Sequence, residues 1–260
     1  MATPLVTLTT DFGLSDHYVG VMKGGILGIC PRAQIVDISH NVKPFQIAEA
    51  AYVIAQAYRE FPRKTVHVVV VDPGVGTSRR PILMEAAGQY FVAPDNGALA
   101  MVYAREKCKV RVISNDKYFR QPVSATFHGR DIFAPVAAHV AAGERPSRMG
   151  RIIEDYLRPG FDKHRRTSEQ TWTGQVLHID RFGNIVTNFR ATDFPTLKKF
   201  SLIVGSRQVS VLARNYAQCG PGELFAIEGS SSYLEISVNQ GSAAKQIGCE
   251  SGAVVEMTLG

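Results

Sequence analysis

TVHVVVVDPGVGTSRR, residues 65 to 80, reads as a strand that runs into a loop. Val66 to Val71, interrupted only by His67, is the longest strongly apolar stretch in the chain. It has the length of a strand and falls far short of the roughly 18 to 20 residues that span a bilayer. Asp72, Pro73 and Gly74 close it, and two more punctuating features follow, Gly76 and the Arg79–Arg80 pair.

Similar short apolar runs lie on both sides. Leu5–Thr9, Gln34–Ile38, Pro81–Ala86, Tyr90–Ala93 and Lys109–Ile113 read as strands, mostly closed by Asp, Gly, Pro or Asn. Helical patterns separate them at His17–Ile29, Gln46–Arg59, Ala98–Arg105 and Asp131–Ala142. Strands alternating with helices predict an α/β domain with a central mixed or parallel sheet over residues 1–165. From Tyr156 the pattern breaks into an aperiodic stretch ending LRPGFDKHRRTSEQ, residues 157 to 170, which reads as a linker. Beyond it come closely spaced β-rich runs: Gln175–Ile179, Ile185–Asn188, Leu202–Val204, Gln208–Leu212, Leu224–Ile227, Tyr233–Val238 and Ala253–Leu259. They predict a small all-β, barrel-like C-terminal domain over residues 171–260.

The chain has 260 residues, 45% hydrophobic and 20% charged, which places it among globular proteins and excludes disorder. At that length a core forms without a disulfide or metal staple. Cys30, Cys108, Cys219 and Cys249 lie far apart with no CxxC pair, as expected of bystander thiols in a reducing compartment. No signal peptide and no membrane span is legible, so the expected location is cytoplasmic. The net charge of +6 is scattered in clusters such as Arg105, Lys107, Lys109 and Arg111. No aromatic interleaving or recognition signature accompanies them, and nucleic acid is not an expected partner.

Polar residues gather where predicted strands end, the usual place of a ligand crevice in an open α/β sheet. The first strand runs into Asp11, Phe12 and Gly13, with Asp16 near a helix start. Asp11 can form a turn and Asp16 can cap the helix, or the pair can bind a ribose and an ammonium. After the third strand, Asp72 and Arg79 flank a glycine-punctuated loop that matches neither a P-loop nor a dinucleotide fingerprint. His128 in TFHGRD, residues 126 to 131, stands at a helix start as a proton-exchanging group. In the β half, Asp180 to Asn184 reads as a hairpin turn whose Asn184 offers both a donor and acceptors, the set that matches an adenine edge.

TTDFG, VDPGVGTSRR, FHGRDIFAP, IDRFGNIVTN and EGSSSYLEISVNQG follow one another from the first strand toward the C-terminus. In that order they resemble the S-adenosylmethionine hydroxide adenosyltransferase family, relatives of the fluorinase and chlorinase. The resemblance implies hydrolysis of S-adenosyl-L-methionine to adenosine and L-methionine, by displacement at the ribose C5′ with an activated water. It assigns water activation to Asp72, Arg79 and His128, and ribose binding to Asp11. Asp16 and Asp180 would hold the methionine ammonium, and Asn184 would read adenine with backbone groups around Ser230, Ser231 and Val238. Phe45, Phe127 and Phe182 would form apolar walls. Further implications are that no metal or cofactor is needed and that a homotrimer forms, with active sites at subunit interfaces. The alternatives are a halogenase using chloride at the same carbon, which an anionic Asp72 disfavours, and a non-catalytic adenosine or S-adenosylmethionine binding protein.

Overall fold

In the computed structural model, which describes residues 3–194, 196–197 and 199–260, the chain divides into two compact units, Met1–Pro159 and Gly160–Gly260. The first holds β1 (Leu5–Thr10), α1 (Tyr18–Ile29), β2 (Gln34–Ser39), α2 (Ile47–Ala57), β3 (Val66–Val70), β4 (Pro81–Ala86), β5 (Gln89–Pro94), α3 (Ala100–Tyr103), β6 (Cys108–Val112), α4 (Ala134–Ala141) and β7 (Ile152–Ile153). Its seven-stranded sheet runs in the order β2-β1-β3-β5-β4-β6-β7. The four strands from β2 to β5 pair parallel, and β4, β6 and β7 continue antiparallel. The sheet is therefore mixed. β3 lies between β1 and β5 with all five residues buried, which is why its sequence is a near-continuous valine run. Val19, Met22 and Ile26 of α1 and Val136, Ala137 and Val140 of α4 pack in one core with Val6, Leu8, Val66, Val68 and Val70.

Two helices differ from their sequence signals. Helical pattern begins at Asp131, yet Gly129–Phe133 forms a single π-helical turn and α4 starts only at Ala134. Pro135 explains it: lacking an N–H, it leaves the Asp131 carbonyl without a helical partner. That carbonyl accepts the Arg120 N–H at 2.8 Å instead. The stretch Ala98–Arg105 contracts to the four-residue α3.

The second unit holds β8 (Arg165–Arg166), β9 (Thr171–Ile179), β10 (Ile185–Thr187), β11 (Phe200–Val204), β12 (Arg207–Val209), β13 (Leu212–Ala213), β14 (Leu224–Glu228), β15 (Leu234–Val238), α5 (Ala243–Ile247) and β16 (Val254–Leu259). The main path runs β12-β11-β16-β9-β10-β15-β14-β13, with β8 paired to β9. β12 packs beside β14 near the other end of this path, so the sheet curls back on itself as a half-barrel with two free edges. Where a linker was expected, Arg165 and Arg166 pair with Thr173 and Trp172. The four cysteines carry free thiols. Among the described residues no helix is long and apolar enough to cross a membrane.

Candidate active site

In the first unit, β1 and β3 are adjacent and parallel, so their C-terminal ends deliver Asp11 and Asp72 to the same edge of the sheet. Asn96 donates to the Val71 carbonyl at 2.9 Å and pins the end of β3. The loop that follows is held by its own turns: Val75 N–H bonds the Asp72 carbonyl at 3.2 Å, and Thr77 Oγ1 bonds the Gly74 carbonyl at 2.7 Å. Gly76 has φ +77°, and a Cβ there would lie 2.2 Å from the Ala125 carbonyl oxygen. Only glycine lets this loop touch the strand of chain that leads to His128.

Folding the loop back brings Arg79 against Asp72. Arg79 Nε donates to Asp72 Oδ1 at 2.9 Å, and one terminal nitrogen donates to Oδ2. The same nitrogen lies 2.7 Å from His128 Nδ1. The guanidinium also stacks over the buried Phe133 ring, 5.1 Å from its centroid, so the π turn that displaced α4 supplies the floor of the triad. Both charged side chains are nearly buried, at 9% exposure for Arg79 and 5% for Asp72. Burial first, and then the positive charge of Arg79, hold His128 below the ordinary imidazole range. Arginine has no acceptor, so the contact fixes His128 Nδ1 as the unprotonated nitrogen and places the imidazole proton on Nε2.

Asp72 and His128 face a cleft of about 410 Å³ that Asp11, Phe45 and Phe127 also line. The Asp11 carboxyl titrates higher than usual because of burial, with the Asp72 charge adding to the effect. The Phe45 N–H opposes that rise by donating to Asp11 Oδ2 at 2.9 Å. Phe45 adopts φ +69° and leaves its ring 70% exposed at the cleft. Two anionic groups thus converge on a small apolar-walled space, an arrangement that favours a cationic ligand. Phe127 packs edge-on against Phe12 and Tyr18 and lies under the Arg130 guanidinium. Arg130 in turn grips the buried Asp131, which accepts the Ser124 N–H at 2.8 Å.

The sequence reading gave no site role to Phe12, Tyr18, Pro44, Val75, Thr126 and Gly129, which complete the lining. It also missed Asp131, although a charge inside an apolar FHGRDIFAP run is a signal of a buried ion pair. Asp16 stands apart: it is exposed and outside the cleft lining, and the cap position of α1 is His17, with no side-chain capping bond.

The second unit carries the remaining expected residues. Asp180 Oδ1 accepts the N–H groups of Phe182 and Asn184 at 2.9 and 2.8 Å, and Asn184 Nδ2 donates to Asp180 Oδ2 at 2.8 Å. Among the described residues the Asn184 amide oxygen accepts no hydrogen bond, and the Phe182 ring is 76% exposed. Gly183 sits against Ser242, which caps α5 through the Lys245 N–H. Val238 and this loop share one end of β15, since Ile185 pairs with Ile236. Ser230 and Ser231 precede β15 at its other end, about 13 Å away by strand rise. Ser230 and Ser231 thus stand at one end of β15 and Val238 at the other. Glu235, absent from the sequence reading, has its carboxyl raised by burial and by Asp180.

Comparison with known proteins matches the SAM hydroxide adenosyltransferase N-terminal domain to residues 6–150 and the corresponding C-terminal domain to residues 174–256. A protein of Salinispora tropica named (R)-S-adenosyl-L-methionine hydrolase is 36% identical over 99% of both chains. A fluorinase of Nocardia brasiliensis is more distant, 27% identical over 99% of this chain and 97% of its own. A solved structure, an uncharacterized conserved protein from Thermotoga maritima, superposes with a TM-score of 0.86 at 38% identity, covering 97% of this chain and 99% of that one.

Proposed function

We infer that this chain, which belongs to the SAM hydroxide adenosyltransferase family, hydrolyses S-adenosyl-L-methionine to adenosine and L-methionine. The observation that carries the mechanism is the two-pronged Arg79–Asp72 pair with His128 Nδ1 on the same guanidinium.

A water between Asp72 and His128 has a defined set of bonds. His128 Nε2–H donates to its oxygen, because Nδ1 is committed to Arg79. One of its hydrogens points to Asp72, whose oxygens each keep a second lone pair beside the one given to Arg79. The other oxygen lone pair is free to attack C5′ from behind the sulfonium. The O–C5′ bond forms as the C5′–S bond breaks, its electron pair leaves on sulfur, and methionine departs as a neutral thioether. The water proton passes to Asp72 and then to solvent, so one cationic substrate and one water give two products and one proton. In this reading His128 orients the water and Asp72 takes the proton. The sulfonium is already a good leaving group, so positioning and electrostatics are enough, and the balance calls for no metal or cofactor.

Asp11 receives the ribose hydroxyls, and Phe45 and Phe127 wall the substrate. The Asp180–Asn184 loop offers the Asn184 oxygen to the adenine amino group. Asp16 and Asp180 are assigned the methionine ammonium and Phe182 a further wall, with backbone groups around Ser230, Ser231 and Val238 completing adenine recognition. The assembly proposed is a homotrimer in the cytoplasm, with each active site completed by a neighbouring subunit. The hydrolase relatives are named for the R configuration at sulfur, and we assign this chain the same epimer. Asp72 at the water position places negative charge where a halide would have to approach, which argues against halogenation.

The test is incubation of the purified protein with each separated sulfonium epimer. Adenosine and methionine in equal amounts from the R epimer are expected, and intact substrate with fresh enzyme overturns the assignment.

A further inference from the structure

β1 and β3 run parallel, so the residues that precede them gather at the end of the sheet opposite Asp11 and Asp72. Strands of five and six residues separate the two ends by about 17 to 20 Å. At that far end lies a second cleft, of about 640 Å³, between the chain before β1, the end of α1, the turn before β3 and the segment after α4.

Arg32, Arg63, Lys64 and Arg145 line it. All four are exposed, and among the described residues none of their side chains has an ion-pair partner. The one carboxylate of the lining, Glu144, is already engaged by Arg148 at 3.2 Å and by the Arg145 N–H at 3.1 Å. Four cations against one carboxylate concentrate three of the six net positive charges of the chain in one concave spot.

Two of these residues lie against a neighbouring turn. Lys64, at φ +70°, donates its N–H to the Gly88 carbonyl at 2.8 Å, which locks the turn before β3 onto the turn between β4 and β5. The Arg63 guanidinium lies across Gly88: a Cβ there would sit 2.6 Å from Arg63 Cζ. Among the described residues the Arg63 guanidinium has no ion-pair partner, so its N–H fork is available. Leu5, Ile29, Tyr90 and Val140 give part of the cleft wall an apolar surface.

Guanidinium forks match phosphate oxygens two at a time, and an apolar floor beside an aromatic ring suits a planar base. The volume falls in the range of small-ligand sites. We propose that this cleft binds a small phosphorylated ligand of the nucleoside di- or triphosphate class, at a site separate from the hydrolytic centre.

The experiment is isothermal titration of the full chain with guanosine diphosphate, chosen to differ from the adenosine of the first site, and with inorganic pyrophosphate. Saturable binding of one guanosine diphosphate per chain is expected, weakened at least tenfold in R63A/R145A. The same variant is expected to melt and hydrolyse S-adenosylmethionine as the parent does. Absence of saturable binding, or equal affinity in R63A/R145A, overturns the proposal. Equal affinity for pyrophosphate and guanosine diphosphate overturns the nucleoside part, and an RNA oligonucleotide binding more tightly than either would make the cleft a nucleic-acid surface instead.

Discussion

Replacing Arg79 separates the geometry of the triad from its charge. The guanidinium meets both oxygens of Asp72 and Nδ1 of His128 from one plane, with Nε 2.9 Å from Oδ1 and a terminal nitrogen 2.7 Å from the imidazole. Lysine keeps the positive charge but has a single nitrogen, which cannot satisfy all three contacts. Arg79→Lys therefore loses at least one hydrogen bond to a charged, nearly buried group, a loss of about 1.5–3 kcal/mol. Expressed wholly in the transition state, this lowers kcat/KM by about 10- to 150-fold. Arg79→Met goes further and leaves the Asp72 carboxylate, 5% exposed, without its counter-charge. That costs about 3–5 kcal/mol of folding stability. The assay is the initial rate of adenosine formation by chromatography over a range of substrate concentrations, with urea unfolding of each variant. An Arg79→Lys enzyme within threefold of the parent, or an Arg79→Met protein as stable as the parent, would refute the reasoning.

Three other outcomes follow from named contacts. His67 is buried between β1 and β5, with Nδ1 2.7 Å from Thr7 Oγ1, and burial lowers its pKa to about 4. It stays neutral in the fold while the unfolded chain takes up a proton below about pH 6.5, so stability is full above that pH and falls as pH drops toward 4. Between pH 7.5 and 5.0 the loss from this group is about 2 kcal/mol by linkage, and urea unfolding of His67→Gln at both pH values should lack that increment. The acid limb of the rate profile should lie below pH 6.5, because burial and Arg79 both keep His128 neutral; a midpoint above 6.5 contradicts the triad geometry. Gly76→Ala combines a left-handed φ with a contact 2.2 Å from a backbone oxygen, costing about 2–4 kcal/mol and displacing Arg79, which thermal melts and rate assays would register together.

The strands around β3 were legible because each is a short apolar run with a breaker at its end, and β4 spans Pro81–Ala86 as its pattern indicates. Elements without a run of their own were not. β7 and β8 have two residues each. α5 carries a Ser242 cap and a left-handed Gly248, but it is five residues long inside a β-rich stretch. At the site, Asp72 and Arg79 are seven residues apart and a folded-back loop was conceivable from the glycines. His128 is 49 positions beyond Arg79, and no periodicity reports that contact; motif resemblance alone joined them.

Turnover in ¹⁸O-water with chloride present tests the central claim most directly. Mass spectrometry of the nucleoside should show adenosine with one ¹⁸O at the 5′ oxygen, released with an equal amount of methionine and lost in His128→Ala. A 5′-chloro nucleoside, or substrate that remains intact, would contradict it.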